Sequence, residues 1–354
     1  MEIQDQLDKL KKLHSIVLEY IDKDDHIEEN FENLCNFIKE QKLTKSGSEF
    51  KLFLRLISSI SDNHYRANNF FEKIERIIIK YKTIIQKFYS NEELCVIFQN
   101  NKRLLFFLLN EKMIIFDEFV LKTIIEKRYS KYFIPEIKKF DPKNSLFTSY
   151  LKDIFRIVIP KDFDEKRKIG ENNNKICEII RNDLIEEFII YVNQFNYPLN
   201  SMIEPSIYET NLLLLSKTPN LIEYAAFFGA CQIFNYLFFN GAKIEPSLWI
   251  YGVHSDNSMM IHLLEEKQIK PNERKNKYQY YEIFPFKESV IESIMCHNNF
   301  VAIQILNNYE NEKTKKSENG NFQYKIEKYI ESKSFEYYNF GFFPEKVVNN
   351  DILV

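Results

Sequence analysis

From the start of the chain, apolar side chains recur at alternating spacings of four and three: Ile3, Leu7, Leu10, His14, Val17 and Ile21 fall on one stripe of a helix. Such a stripe suits either a coiled-coil seam or a first helix packed on its neighbour. A second helix is predicted through Phe31, Leu34, Phe37 and Ile38, opened by Asp25 with Glu28 at capping-box spacing. Ser46 with Glu49 opens a third, carrying Phe50, Phe53, Leu54, Ile57 and Ile60, and the polar run from Ser61 to Asn69 ends it. Phe70 to Tyr89 predicts one long fourth helix. Ser90 with Glu93 is a further capping box, followed by Cys95 to Phe98, a Gln99-Asn100-Asn101 break, and Leu104, Leu105, Phe107 and Leu108 on a second stripe. Helices are also predicted at Asp117 to Arg128 and Ser145 to Ile157, and the charged stretch Pro160 to Asn173 reads as a connection between two halves.

The pattern is sharpest in NLIEYAAFFGACQIFNYLFFNGAKI, Asn220 to Ile244. Ala225 and Ala226 allow a first helix to sit close to its neighbour, Gly229 turns the chain, Ile233, Phe234, Tyr236 and Leu237 form the stripe of a second helix, and Gly241-Ala242 turns it again. With Asp183, Gly229, Asp256 and Asn298 set in register, Asn174, Asn220, Ser247 and Ser289 each stand nine residues earlier, all of them N-cap formers. The four turn residues all tolerate a left-handed backbone. The second stripe recurs as Met260, Ile261, Leu263 and Leu264, and as Ala302, Ile303, Ile305 and Leu306. The spacings of 46, 27 and 42 residues between turns put the extra length after Asn200 and after Lys270. Residues 311–320 form a charged linker, followed by a closing helix from Phe322 to Ile330 and an aromatic tail, FEYYNFGFFPE, that is expected to pack back as a cap.

Composition narrows the class. Of 354 residues, 45% are apolar and 15% aromatic, with only 7 Gly and 10 Pro, too greasy for disorder and too poor in turn formers for an all-β fold. The net charge of -3 provides no general field for nucleic acid or an anionic membrane, although residues 1–44 carry 11 acidic against 6 basic side chains. Five scattered cysteines form no metal or disulfide spacing and fit a reducing compartment, and no stretch reaches the length of a membrane span. The expected setting is the cytoplasm, with the nucleus left open.

Chemical motifs are few. With 7 Gly and no Walker, dinucleotide, nucleophile-elbow or H-E-x-x-H pattern, no phosphate cradle or zincin centre is expected, and no cofactor. Cys296-His297 with His254 and His262 suggests a zinc site or a Cys/His dyad, but their places in the helix pairs read as packing. Glu28-Glu29, Glu186-Glu187 and Glu265-Glu266 read as solvated helix faces. Trp249, the single tryptophan, reads as core. The exception is the insertion Lys270 to Phe286, where Arg274, Lys275 and Lys277 interleave with Tyr278, Tyr280 and Tyr281 between Pro271 and Pro285. These residue types dominate interface energetics, so the loop is the candidate protein-binding site. The alternatives are a cover over an exposed flank and a base-stacking platform for nucleic acid.

On the segments NHYRANNFFEKIE (Asn63 to Glu75), NKRLLFFLLNEK (Asn101 to Lys112), NLIEYAAFFGACQIF (Asn220 to Phe234), PSLWIYGVHSDN (Pro246 to Asn257) and YYNFGFFPE (Tyr337 to Glu345), the chain resembles a large family of ankyrin-type proteins expanded in protozoan parasites such as trichomonads. The resemblance implies an N-terminal helical region, a short ankyrin-like array and no assigned activity. The Thr-Pro-Leu-His tetrapeptide of general ankyrin repeats is absent, Glu223, Ile250 and Glu292 standing at the histidine place. That leaves open what ties neighbouring units. The resulting expectation is an all-α elongated solenoid: an acidic helical pair (1–44), a helical region with a degenerate repeat (45–165), divergent ankyrin-like repeats (171–310) and a closing segment (311–354). Its expected role is that of a non-catalytic protein-protein scaffold, with an enzyme centre between the two halves as the rival.

Overall fold

A computed structural model of the chain describes residues 2–141, 156–245, 247–271, 286–309 and 320–342. Among the described residues every regular element is helical: twenty α-helices, two 3-10 turns and no strand, with one isolated bridge between Met202 and Asn220. The all-α class therefore holds. No described helix is long and apolar enough to cross a membrane.

The first half comprises α1 (Glu2–Asp22), α2 (Ile27–Glu40), α3 (Gly47–Asn63), α4 (Phe70–Lys80), α5 (Lys82–Phe88), α6 (Asn91–Phe98), α7 (Lys102–Asn110), α8 (Glu118–Glu126), α9 (Ile134–Phe140) and α10 (Phe163–Ile169). The α1 stripe packs as a first helix on α2 within this chain, burying His14, Val17 and Ile21. Of the expected caps, the Ser90–Glu93 box forms in both directions, with Ser90 Oγ accepting from the Glu93 amide at 3.2 Å and Glu93 Oε2 from the Ser90 amide at 3.0 Å. Asp25 and Ser46 do not cap by side chain: α2 opens after left-handed His26, and Ser46 Oγ bonds Ser48 Oγ instead. The long fourth helix breaks at Tyr81, whose ring is buried against Phe50 and Phe53, so α5 starts anew. The helix expected at Ser145 to Ile157 lies almost wholly outside the described residues. The expected connection from Pro160 to Asn173 contains α10, which buries Arg167 on the Phe106 ring, 3.8 Å from its centroid, with Glu136 and Asp164 as ion partners.

The second half comprises α11 (Lys175–Arg181), α12 (Ile185–Gln194), α13 (Leu212–Ser216), α14 (Leu221–Phe227), α15 (Cys231–Phe239), α16 (Leu248–Gly252), α17 (Ser258–Glu266), α18 (Lys287–Met295), α19 (Asn299–Tyr309) and α20 (Gly320–Glu336). The helices pair as α11/α12, α14/α15, α16/α17 and α18/α19, and the first helices α11, α14, α16 and α18 pack each on the next. Their buried side chains form one apolar cluster and those of the first half another.

Local geometry repeats from unit to unit. Second helices end at left-handed Asn196, Gly241 and Gln268, and the following amides of Tyr197, Ala242 and Ile269 return to Val192, Leu237 and Leu264 carbonyls at 2.8–3.0 Å. This closure satisfies carbonyls that a bare helix end leaves orphaned. The same closure ends α7 at Lys112 and α8 at Arg128. Between paired helices, Asp183, Gly229 and Asp256 are left-handed as expected, with φ of 48°, 66° and 44°. Gly229 is required twice over, because a Cβ there would also lie 3.0 Å from Asn257.

In the last unit the register slips. His297, not Asn298, is left-handed (φ 63°), while Asn298 Oδ1 caps α19 at the Val301 amide, and Ser289 lies inside α18 rather than before it. Only Asn220 among the four expected first-helix caps closes its own helix by side chain, in a capping box with Glu223.

The chain also closes on itself. Tail residues 337–342 and the His297 turn pack on α1 and α3, with Ser59 Oγ donating to the Tyr337 carbonyl and Arg55 to Tyr338 Oη at 2.7 Å, and the tail is tied to α18 by Asn339 Nδ2, which donates to the Ile294 carbonyl at 2.9 Å. The insertion after Asn200 is a second junction: α13 sits on α3, Thr210 Oγ1 donates to the Gly170 carbonyl at 2.7 Å, and Arg66 reaches Thr210.

Candidate functional site

The second half presents two kinds of surface chemistry: side chains that tie unit to unit, and apolar side chains left uncovered. Glu223 Oε1 accepts from Ser247 Oγ of the following unit at 2.6 Å, and Glu292 Oε1 meets His254 Nε2 of the preceding unit at 2.7 Å. His254 stacks on Phe227 (4.8 Å between centroids), so three successive first helices are linked through one imidazole. The turns contribute as well. Asp183 accepts from the Gln232 and Ile233 amides at the start of α15, both at 3.0 Å, Asn257 Nδ2 donates to the Gly229 carbonyl, and Asn298 Nδ2 to the Val253 carbonyl. Buried carboxylates and turn side chains thus tie neighbouring helix pairs to one another.

Most of the uncovered residues lie on or at the end of second helices: Ile190 and Phe195 at α12, Phe239 on α15, Met259 on α17, Phe300 and Ile303 on α19, while Met202 and Leu215 are exposed outside them. Phe239 and Phe300 are 75% and 74% exposed. Lys267 lies over the Phe238 and Phe239 rings, 4.7 and 4.8 Å from their centroids. Beside them is a groove of about 450 Å³ lined by Phe238, Ile244, Lys267, Ile269 and Pro271. It adjoins the start of the insertion in which the sequence places Arg274, Lys275, Lys277, Tyr278, Tyr280 and Tyr281. Those six residues lie outside the described residues. Trp249 is fully buried and donates Nε1 to the Ile269 carbonyl, which makes it the floor under this region and not part of its surface.

The suggested metal and dyad residues do not converge. His254 is engaged with Glu292, and His262 is exposed on α17. The Cys296 thiol donates to the Val253 and Ser293 carbonyls and is pushed up by burial, which keeps it protonated and poorly nucleophilic. Among the described residues no group of three or more His, Cys, Asp or Glu is placed to hold a metal ion.

A second cleft, of about 440 Å³, opens between the halves and is lined by Arg55, Ser59, Asp62, Asn100, Leu212 and Tyr337. Asp62 is buried there with Oδ1 unpartnered, and burial pushes its carboxyl up to about 7. Nearby, Lys102 is buried against the Tyr129 and Tyr132 rings and held down at about 8 by burial, while Glu209 Oε1 caps the Thr210 and Asn211 amides. Sequence reasoning passed over these groups because they occur in polar runs that read as exposed. No known protein-family model matches the chain, nor does any curated protein or solved structure.

Proposed function

We propose that the chain is a non-catalytic protein-binding scaffold in which the four helix pairs of the second half act as a short, divergent ankyrin-like array. The observation that carries this reading is the division of labour among the repeated helices. First helices are tied to one another by Glu223, His254 and Glu292, while the second helix of each of the four pairs keeps a large apolar side chain exposed on it or at its end. Stacked repeats of this kind offer an extended surface in place of a reactive pocket. Aromatic residues so displayed are the type that supplies hot spots, and the groove beside Lys267 reaches Pro271, where the sequence becomes basic and tyrosine-rich. Five free cysteines accord with a reducing, cytoplasmic setting.

Selection of a displayed random-peptide library against the full chain tests this. Binders are expected to lose at least about tenfold in affinity for a Phe239→Ser/Phe300→Ser/Ile303→Ser variant whose melting temperature matches the parent, since such anchors each contribute about 1 kcal/mol or more. Binders indifferent to those changes and to Ser substitutions at Tyr278, Tyr280 and Tyr281 would remove the basis of the reading. One observation favours a second reading: the carboxyl of Asp62, held near neutrality in a polar cleft, is the type of group that general acid-base catalysis uses. Turnover in a broad hydrolase screen that disappears in Asp62→Asn would support that rival.

A further inference from the structure

Three histidines that the sequence holds far apart meet where the chain closes on itself. His14 on α1, His64 just after α3 and His297 in the α18–α19 turn are all buried. His14 Nε2 and His297 Nδ1 share a single proton across 2.8 Å, one ring donating and the other accepting. The opposite edge of His297 is 3.5 Å from Ser59 Oγ, the same hydroxyl that donates to the Tyr337 carbonyl of the tail. His64 lies edge-on to His297, 6.1 Å between centroids, with Nδ1 on the Cys296 carbonyl and Nε2 on Asp22, both at 2.7 Å. The tail covers the pair directly. A Cβ on Gly341 would come within 2.9 Å of His14 Nδ1, so backbone is pressed against the imidazole.

We propose that this cluster is an acid-sensitive clasp: protonation of the His14–His297 pair separates the last helix pair and the tail from α1 and α3, uncovering the Ser59 side of the cleft between the halves. The chemistry is that of a shared proton. When both imidazoles are protonated each can only donate, so the 2.8 Å contact becomes a repulsion between two buried cations. Burial first, then His64, depresses His14 to about 3 from 6.5, and burial, then His14 and His64, holds His297 well below its ordinary value.

The facing groups do not compensate. On α1, Asp22 is occupied by His64 and only partly offsets the effect at His14. Tyr65 and the exposed-rim Asp256 lie near Asp22 and His64 instead of near the His14–His297 pair. The Cys296 thiol is pushed up and stays neutral, and Glu292 on α18 is paired with His254. Above 6.5 the closed clasp is fully favoured. As pH falls below 6.5 the open form takes up protons that the closed form cannot, and closure weakens. For His14 alone, titrating at 6.5 when open and about 3 when closed, the open population rises about thirty-fold at pH 5, and His297 multiplies this.

Hydrogen exchange of the full chain at pH 7.5 and 5.0, corrected against the unfolded chain at each pH, reads this opening. Protection in α1 and residues 337–342 is expected to fall about thirty-fold or more, while protection in α14 and α15 stays within about threefold. In His14→Gln/His297→Asn, which replaces the shared proton with a neutral amide contact, the fall is expected to shrink below about fivefold. Equal protection at both pH values in the parent chain overturns the proposal. Histidine C2–H titration of the unaltered chain keeps the test independent of how the variant folds. Resonances of His14 and His297 that titrate near 6.5 with α1 still protected also overturn it.

Discussion

Glu223 offers a sharp test of how the repeated units hold together. Its carboxylate is buried and makes two bonds: Oε2 accepts the Asn220 amide at 2.9 Å, closing the capping box of α14, and Oε1 accepts Ser247 Oγ of the next unit at 2.6 Å. Glu223→Ala removes both acceptors. The capping half costs about 1 kcal/mol, and losing a hydrogen bond to a charged group costs about 1.5–3 kcal/mol, so a loss of about 3 kcal/mol is expected. Ser247→Ala alone is expected to cost about 1.5 kcal/mol, and the two together little more than Glu223→Ala, giving a coupling free energy of about 1.5 kcal/mol. Trp249 is the single tryptophan and sits in the helix after Ser247, so its fluorescence during urea unfolding reports on the joint in question. The double-mutant cycle is read from the midpoints and slopes of those curves. A coupling below about 0.3 kcal/mol, with Glu223→Ala no worse than a surface change of about 0.5 kcal/mol, would refute the assignment of this carboxylate as a tie between units.

Asp62 makes stability depend on pH in the opposite sense to the histidine clasp: with its carboxyl raised from 3.8 to about 7, the buried charge penalises folding progressively as pH rises between those values, about 1.4 kcal/mol per pH unit at most. Asp62→Asn should therefore match the parent near pH 4 and exceed it above pH 7 in urea midpoints, and identical pH profiles would contradict this. Asp183→Ala removes the acceptor for the Gln232 and Ile233 amides and leaves a non-glycine residue at φ 48°, so a loss of about 1–2 kcal/mol in chemical denaturation is expected, with a neutral result counting against the turn geometry. Gly341→Val drives a side chain into the His14 ring and the Asn299 side chain, so the tail should become protease-sensitive at neutral pH while α14 and α15 keep their protection. An unaltered digestion pattern would argue against the tail's seat.

What the sequence reveals here is governed by distance along the chain. Asn220 with Glu223, Ser90 with Glu93 and the stripe Met260, Ile261, Leu263 and Leu264 are readable because cap, partner and face lie within a turn or two of helix, where backbone geometry dictates contact. The slip from Asn298 to His297 escaped because both residue types accept a left-handed backbone and only the helix bounds decide between them. Polar runs misled more seriously. Ser61, Asp62, Asn63 and His64 read as the exposed end of a helix, yet all four are buried, with Asn101 on the Ser61 carbonyl from forty residues away and the Cys296 carbonyl on His64 from more than two hundred. Arg167 sits in a charged run that reads as exposed, yet it is buried on Phe106 with Glu136, thirty-one residues away, as an ion partner. The candidate tyrosine and basic residues 274–281 stand out by their composition and by their place in an insertion, and the described groove reaches only to Pro271.

A linear stack of repeats has two ends, and its terminal units fray first because each lacks a neighbour. Here the last helix pair and the tail are held by α1 and α3, through contacts such as His14 with His297 and Arg55 with Tyr338, each spanning 283 residues. The perimeter is thereby joined, and the unit that would be the loosest becomes one of the most dependent on everything before it. Such a chain must bring its extremes together before the final contacts can form, a slow, entropically expensive search. Once joined, the loop of contacts should melt as a whole and not unit by unit. Removing α1 would then damage the last helix pair and residues 337–342, and removing those residues would damage α1.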